Sequence, residues 1–135
     1  MYEVNVQRTF SAVHALPLPD GTKEEAHGHE WVVTATFRSR RLDDTMGAVI
    51  DFLAVQAYLR EIFEPLDGAD LNELPAFGDG RPSTERVAEH ITQRLAAAMA
   101  GELCPPGGDG VWLRCVNVTE APGCSATYYA DDSGP

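Results

Sequence analysis

The spacing of apolar residues changes twice along this 135-residue chain, and that change limits the fold more than any other feature. Apolar and polar residues alternate over residues 2–16 and 29–38, as in strands that bury one face. Apolar residues then recur every three or four positions in two segments, as in amphipathic helices. Alternation returns in VWLRCVNVTE and CSATYYA, which predict a hairpin across APG. The predicted order is strand, strand, helix, helix, strand, strand.

Capping residues mark the ends of both predicted helices. Asp51 stands where the first helix needs a side-chain acceptor, and Pro65 marks its end. Ser83 or Thr84 can cap the second helix. Its buried stripe consists of Val87, Ile91, Leu95 and Met99.

This order of elements requires no parallel crossover between strands. It predicts an α+β fold in one domain over residues 1–135, with a four-stranded antiparallel sheet and both helices on one face. An open sheet of this kind has two exposed edges, and pairing between copies of the chain would cover them.

Charge and composition exclude several classes of partner. Ten basic residues face twenty-one acidic ones, which gives a net charge of −11 and argues against nucleic-acid binding. No apolar run reaches the ~18 residues that a membrane span needs. The N-terminus has no secretion signal and the cysteines number three, so we expect a cytoplasmic protein with reduced thiols. A small molecule or a protein is the expected partner.

Two histidines in the motif HGH lie at the start of the second predicted strand. His27 and His29 share one face of that strand, and antiparallel pairing can bring His14 opposite them. Three imidazoles from adjacent strands suit Zn²⁺ with an open fourth position, as in catalytic zinc sites. Two alternatives remain on spacing alone: the HxH pattern occurs by chance, and His14 can be a hydrogen-bonded core residue.

Six ordered motifs resemble one known family. They are FSAVHAL, HGHEW, GAVIDF, LDGADLN, PSTERVAEHI and VNVTEAPG, and they span almost the whole chain. Together they are similar to the 6-pyruvoyltetrahydropterin synthase and 6-carboxytetrahydropterin synthase family. The resemblance implies the tunnelling (T-) fold. It also implies a homo-oligomer in which the sheets of three subunits join into a barrel and two trimers stack into a hexamer.

The resemblance also implies roles for particular residues. The family's zinc ligands fall on His14, His27 and His29. Its pterin-anchoring carboxylate falls on Glu120, which could accept two hydrogen bonds from the 2-aminopyrimidinone ring. A substrate-binding hydroxyl pair falls on Ser83 and Thr84. The alternatives are a solvated hairpin carboxylate for Glu120 and helix capping for the hydroxyl pair.

The chain departs from the family at its proton-transfer residues. Lys23 occupies the position of the family's catalytic cysteine, and Gly68 replaces the histidine of an Asp–His pair. Asp67 of that pair is retained. The chain therefore resembles a divergent member in which the usual proton relay is incomplete.

A branch of the family carries a glutamate three residues before HGH and cleaves the side chain of dihydroneopterin to release a two-carbon aldehyde. Glu24 has that spacing, with Lys23 and Glu25 as rivals, although all three can also be solvated loop charges. Three functions remain open. The first is a zinc-dependent lyase for a reduced pterin with Glu24 and Asp67 as catalytic residues, the second is an orthodox synthase, and the third is a non-catalytic zinc- and pterin-binding homologue.

Overall fold

The computed structural model describes residues 1–131, so the last four positions of the expected 1–135 domain lie outside the described residues. Its main feature is one five-stranded sheet with the order β3-β1-β2-β4-β5. Pairing is antiparallel between β1 and β2, between β2 and β4, and between β4 and β5. The strands are β1 (Tyr2–His14), β2 (His27–Ser39), β3 (Ala69–Asp70), β4 (Trp112–Ala121) and β5 (Cys124–Tyr129).

The predicted α+β class is confirmed, but the strand count of four and the absence of parallel pairing are wrong. The two-residue strand β3 pairs with β1 in parallel, with Ala69 opposite Ala12. Two residues are too few to produce an alternating pattern, so the sequence signal is only that of a loop. Gly68 leads into β3 with a φ of 75°, a conformation that glycine adopts without steric cost, and its N–H donates to the Ser11 carbonyl at 2.7 Å.

Helix α1 begins and ends as its flanking residues predict, and helix α2 begins as predicted. Helix α1 (Phe52–Phe63) starts after Asp51, whose side chain accepts from the Leu53 N–H at 2.9 Å, and it ends before Pro65. Helix α2 (Thr84–Ala98) starts after Ser83, whose hydroxyl accepts from the Arg86 N–H at 3.2 Å. Within residues 1–131, no helix combines the length and apolar character needed to cross a bilayer.

The core lies between the sheet and the two helices. Helix α1 packs on β1, and α2 packs on β4 and β5. Inward-facing residues form one row along each central strand, because side chains two residues apart share a face. The rows contain Phe10 and Ala12 on β1, Trp31, Val33 and Ala35 on β2, and Val116 and Val118 on β4. Burial of this apolar surface is the main driving force for folding.

Candidate active site

Polar side chains replace apolar ones at one end of these three core rows. The row of β1 continues from Phe10 and Ala12 to His14, and the row of β2 continues from Trp31 to His29 and His27. The β1–β2 register places His14 opposite His27. On β4 the row of Val116 and Val118 continues to Glu120. The alternation that builds the core therefore also directs these four polar side chains to one place.

The three imidazole rings converge closely. The centroid of His14 lies 4.7 Å from that of His27 and 5.2 Å from that of His29, and the His27–His29 distance is 4.8 Å. One nitrogen from each ring and one carboxylate oxygen of Glu120 all lie within 4.8 Å of one another. We call His14, His27, His29 and Glu120 the four-residue group; it is a possible metal site.

Backbone carbonyls fix the orientation of two of the rings. Nδ1 of His14 lies 2.8 Å from the Pro82 carbonyl oxygen, and Nδ1 of His27 lies 2.9 Å from the Glu25 carbonyl oxygen. A carbonyl can only accept a hydrogen bond, so each Nδ1 carries the proton and donates it. In the neutral ring, Nε2 then presents its lone pair to the centre of the group. This hydrogen-bond pattern is the one that orients histidines for a metal.

Burial favours the neutral form of His29, the form that binds a metal. His14 is 1% exposed, and burial lowers the pKa of His29 although the charges of Glu120 and Glu24 oppose that effect. Within residues 1–131, Nε2 of His14 and Nε2 of His29 are buried and have no hydrogen-bond donor or acceptor of suitable geometry, although Oε1 of Glu120 lies 2.6 Å and 3.1 Å from them. Three imidazoles that converge beside a carboxylate are a donor set that fits Zn²⁺.

Glu24 is attached to the chain segment that follows His14. One of its carboxylate oxygens accepts from the Leu16 N–H at 2.8 Å, and its own N–H donates to the Leu16 carbonyl at 2.9 Å. Glu24 is half-buried, whereas Lys23 and Glu25 are exposed. Of the three candidates for a base, Glu24 thus has the most restricted side chain.

Asp67 does not lie in the four-residue group. Its carboxylate accepts from the Ser11 N–H at 2.9 Å and faces a separate groove lined by Arg8, Phe10 and Arg60. In this chain Asp67 holds the backbone of β1 near the short strand β3.

Ser83 and Thr84 directly follow Pro82, the residue whose carbonyl contacts His14. Ser83 serves as the N-cap of α2, and Thr84 is the first residue of that helix. The contact between the Pro82 carbonyl and His14 connects the start of α2 to the four-residue group. Both hydroxyl residues are half-buried and therefore partly open to a ligand.

Two backbone groups that orient side chains at the site could not be predicted from the sequence. The Pro82 carbonyl and the Leu16 N–H are backbone atoms, and no side-chain pattern indicates them. The inward direction of Glu120 did have a signal, because Val116, Val118 and Glu120 alternate with polar residues in VNVTE. That alternation places Glu120 on the core face together with the histidines.

Known proteins are similar to this chain in sequence and in fold. The 6-carboxy-5,6,7,8-tetrahydropterin synthase of Synechocystis sp. is 28% identical over 139 residues, which cover 100% of this chain and 98% of that relative. The structure of Caenorhabditis elegans 6-pyruvoyl tetrahydropterin synthase matches with a TM-score of 0.74 and 22% identity, covering 96% of this chain and 97% of the other.

A third relative is a variant of Plasmodium vivax 6-pyruvoyltetrahydropterin synthase in which a catalytic glutamate is replaced by alanine. It matches with a TM-score of 0.67 and 18% identity, covering 94% of this chain and 96% of the other. At these identities the two solved structures establish a common fold.

The model of the 6-pyruvoyl tetrahydropterin synthase family matches residues 3–131. That match covers nearly the whole sequence, and this chain therefore belongs to the 6-pyruvoyl tetrahydropterin synthase family.

Proposed function

We propose that this chain is a zinc-dependent lyase acting on a reduced pterin, either dihydroneopterin or its triphosphate, or on a related 2-aminopyrimidinone. The observation that carries the proposal is the convergence of three imidazoles and one carboxylate at the end of the core rows. The choice of a pterin as substrate is supported by membership of the family, since relatives are named as tetrahydropterin synthases.

His14, His27 and His29 are the proposed zinc ligands. The grouping of their ligand atoms, and the carbonyl contacts of His14 and His27, support this assignment. Zinc bound there would lower the pKa of a hydroxyl group that coordinates it.

Glu120, Ser83 and Thr84 are the proposed substrate-binding residues. A carboxylate at Glu120 can accept hydrogen bonds from the ring N–H and the exocyclic amino group of a 2-aminopyrimidinone. The proposed role of Ser83 and Thr84 is supported by their position directly after Pro82, whose carbonyl contacts His14.

Glu24 is the proposed base. It accepts the proton of a side-chain hydroxyl, and the O–H electron pair forms the carbonyl of the departing two-carbon aldehyde. The electrons of the broken carbon–carbon bond pass to the carbon attached to the ring, which then takes up a proton, so the reaction is redox-neutral. The half-buried position of Glu24 supports this role, as does the catalytic glutamate named for the Plasmodium vivax enzyme.

Asp67 is the second proposed catalytic residue. It lies outside the four-residue group of its own chain, so it would act on the site of a neighbouring copy. This arrangement fits a homo-oligomer, for which we propose a hexamer built from two trimers with the pocket at a subunit boundary. Light scattering at micromolar concentration should give the mass of six chains, and a monomer mass would contradict the proposal.

One assay tests the proposed reaction. Zinc-loaded protein is incubated separately with dihydroneopterin and with its triphosphate, and products are read by mass spectrometry, with chelator-treated protein as control. We expect a 6-hydroxymethyl pterin and a two-carbon fragment in the zinc-loaded sample only. Binding without consumption of either compound would instead indicate the non-catalytic homologue.

The orthodox synthase is a second candidate, because the Synechocystis relative with that activity in its name matches over the full length of this chain. The same assay separates the two. A synthase releases triphosphate from dihydroneopterin triphosphate and leaves a 6-pyruvoyl or 6-carboxy group on the ring, whereas the lyase leaves a 6-hydroxymethyl group. Lys23 and Gly68, which occupy the family's cysteine and histidine positions, favour the lyase.

A further inference from the structure

An aspartate is followed directly by a glycine at four places in the chain, at positions 20–21, 67–68, 79–80 and 109–110. In such a pair the backbone nitrogen of the glycine can attack the side-chain carboxyl of the aspartate, because glycine has no Cβ that hinders the approach. The four pairs are equivalent in sequence. They differ in what the glycine N–H and the aspartate carboxylate contact in the folded chain.

In three of the four pairs the glycine N–H donates to a backbone carbonyl oxygen. Gly21 donates to Leu18 at 3.0 Å, Gly68 to Ser11 at 2.7 Å and Gly80 to Phe77 at 2.9 Å. An N–H in such a bond cannot turn its nitrogen toward the neighbouring carboxyl without losing the bond. The attacking atom is therefore held away from the carboxyl in these three pairs.

The carboxylates of the same three pairs are held as well. Each accepts a hydrogen bond from a backbone N–H, and the donors are Thr22 for Asp20, Ser11 for Asp67 and Arg81 for Asp79. The side-chain and backbone hydrogen bonds from Thr22 also lower the pKa of Asp20. A carboxyl that stays ionised is a poor target for a nucleophile, so folding protects these aspartates on both sides of the reaction.

The pair at Asp109 and Gly110 has neither restraint. Within residues 1–131, the Gly110 N–H makes no hydrogen bond, and the Asp109 carboxylate accepts none from the backbone. The contact of Asp109 is an ion pair with Arg41 at 2.8 Å, in which the two side chains are 77% and 68% exposed. An ion pair this exposed contributes little to holding a side chain in place.

We propose that Asp109 is the site at which this folded chain forms isoaspartate. The nitrogen of Gly110 attacks the side-chain carboxyl carbon of Asp109, and the amide proton leaves with a carboxyl oxygen as water. The product is a five-membered succinimide ring. Water then adds to either carbonyl of the ring, which returns aspartate or transfers the peptide bond to the side-chain carboxyl. No oxidant or other reagent is needed, and the isoaspartate product has the same composition as the original chain.

The modification changes the loop between α2 and β4. The peptide bond now runs through the side chain, which adds one backbone atom next to Gly110. That atom falls inside the loop closed by the Cys104 N–H, which donates to the Val111 carbonyl at 2.8 Å directly before β4. The free carboxylate of the product is attached to Cα and reaches less far, so the ion pair with Arg41 weakens.

The first experiment compares the folded and the unfolded chain. Full-length protein is incubated at neutral pH for several weeks, with and without guanidinium chloride, and isoaspartate is located by peptide mapping with electron-transfer fragmentation. We expect Asp109 to be modified at similar rates in both samples. Asp20, Asp67 and Asp79 should be modified several-fold more slowly in the folded sample, because their hydrogen bonds exist only there. Equal rates at Asp109 and at any of these three in the folded sample would overturn the proposal.

The second experiment tests the attacking nitrogen at Gly110. A Cβ at this position would lie 3.5 Å from Sγ of Cys104, which is an ordinary contact, so Gly110→Ala should fold normally. Its methyl group hinders the nitrogen, and we expect several-fold less isoaspartate at Asp109. Gly101→Ala is the matched control, since it adds the same methyl group in open space nearby and should leave the rate unchanged.

Arg41→Ala tests the carboxyl in the same assay. Loss of the guanidinium favours the protonated carboxyl that the nitrogen attacks, so isoaspartate at Asp109 should form somewhat faster. Circular dichroism confirms that each variant is folded. If isoaspartate at Asp109 forms as fast in folded Gly110→Ala as in the wild type, or appears in the unfolded wild type only, the proposal is wrong.

Discussion

The histidines on the strands and the carboxylates on the neighbouring loops use their polar atoms in opposite ways. His14 and His27 donate through Nδ1 to backbone carbonyls, so Nε2 is the ring atom that can bind a ligand. Glu24 and Asp67 instead accept from backbone N–H groups. On the strands, the backbone orients the side chain for chemistry. In the loops, the side chain stabilises the backbone.

This difference indicates which parts of the site are already oriented before a ligand binds. The histidine rings are fixed by two strands and by carbonyl contacts, so they need little rearrangement to hold a metal. A loop carboxylate already engaged with an N–H has one oxygen committed to structure. For Glu24 the second oxygen is the one that can act as a base.

Removal of a histidine should have the largest effect. We expect His27→Ala to weaken Zn²⁺ binding by at least ~100-fold, since a lost ligand should cost more than a lost supporting group. His90 is the control, because it lies on α2 and its ring contacts Phe77 at 5.4 Å instead of the other histidines. Competition with a chelator measures both. Stoichiometric zinc in a variant lacking His14, His27 and His29 would disprove the site.

Glu24→Gln should affect turnover and leave metal and ring binding unchanged. A general base contributes on the order of 10²-fold or more to the rate, and an amide cannot accept the proton. The amide oxygen can still accept from the Leu16 N–H, so the loop should keep its structure. Lys23→Ala and Glu25→Gln are the matched controls and should each have a smaller effect on kcat. Inactivation by Glu25→Gln alone would transfer the role to Glu25.

Two substitutions separate the contribution of Asp67 to stability from its contribution to catalysis. Asp67→Ala removes the acceptor for the Ser11 N–H and should lower the free energy of unfolding by about 1 kcal/mol, a value reduced by the exposure of the contact. Asp67→Asn keeps an acceptor oxygen and should restore most of that stability. Urea denaturation measures both. If Asp67→Asn is fully stable but inactive, Asp67 takes part in catalysis. If the variant is as active as the wild type, the role of Asp67 is limited to holding the backbone.

Gly68 should show the smallest effect on activity. A side chain at a φ of 75° costs roughly 1–2 kcal/mol, and there is open space around this position. Gly68→Ala and Gly68→His should therefore lose the same stability in urea. We expect Gly68→His to gain no triphosphate-releasing activity, since Lys23 still replaces the cysteine. Recovery of that activity would show that one histidine is enough to restore the relay.

Alternation made the histidine group predictable. In FSAVHAL and HGHEW, the histidines continue rows of residues that are clearly apolar, so their common face follows from the strand period. The capping roles of Asp51 and Ser83 followed in the same way from local chemistry. These features depend on neighbours within a few residues, and the sequence contains that information.

Other features depend on contacts between distant segments. Strand β3 has two residues, and its parallel pairing with β1 is decided by the turn at Gly68. The bond between His14 and Pro82 joins residues 68 positions apart through a backbone carbonyl. The closeness of Glu120 to His14 requires the β2–β4 register, which contains an irregularity between Thr36 and Phe37. No pattern in the sequence fixes such a register.

The four-residue group draws its members from positions 14, 27, 29 and 120, so it joins the first two strands of the chain to the fourth. A cation held there binds the folded chain and has no comparable site in the unfolded one. By mass action, free metal at 1,000 times its dissociation constant adds about 4 kcal/mol to the unfolding free energy. The melting temperature would then report the concentration of free zinc, and a chelator would act on this protein as a mild denaturant.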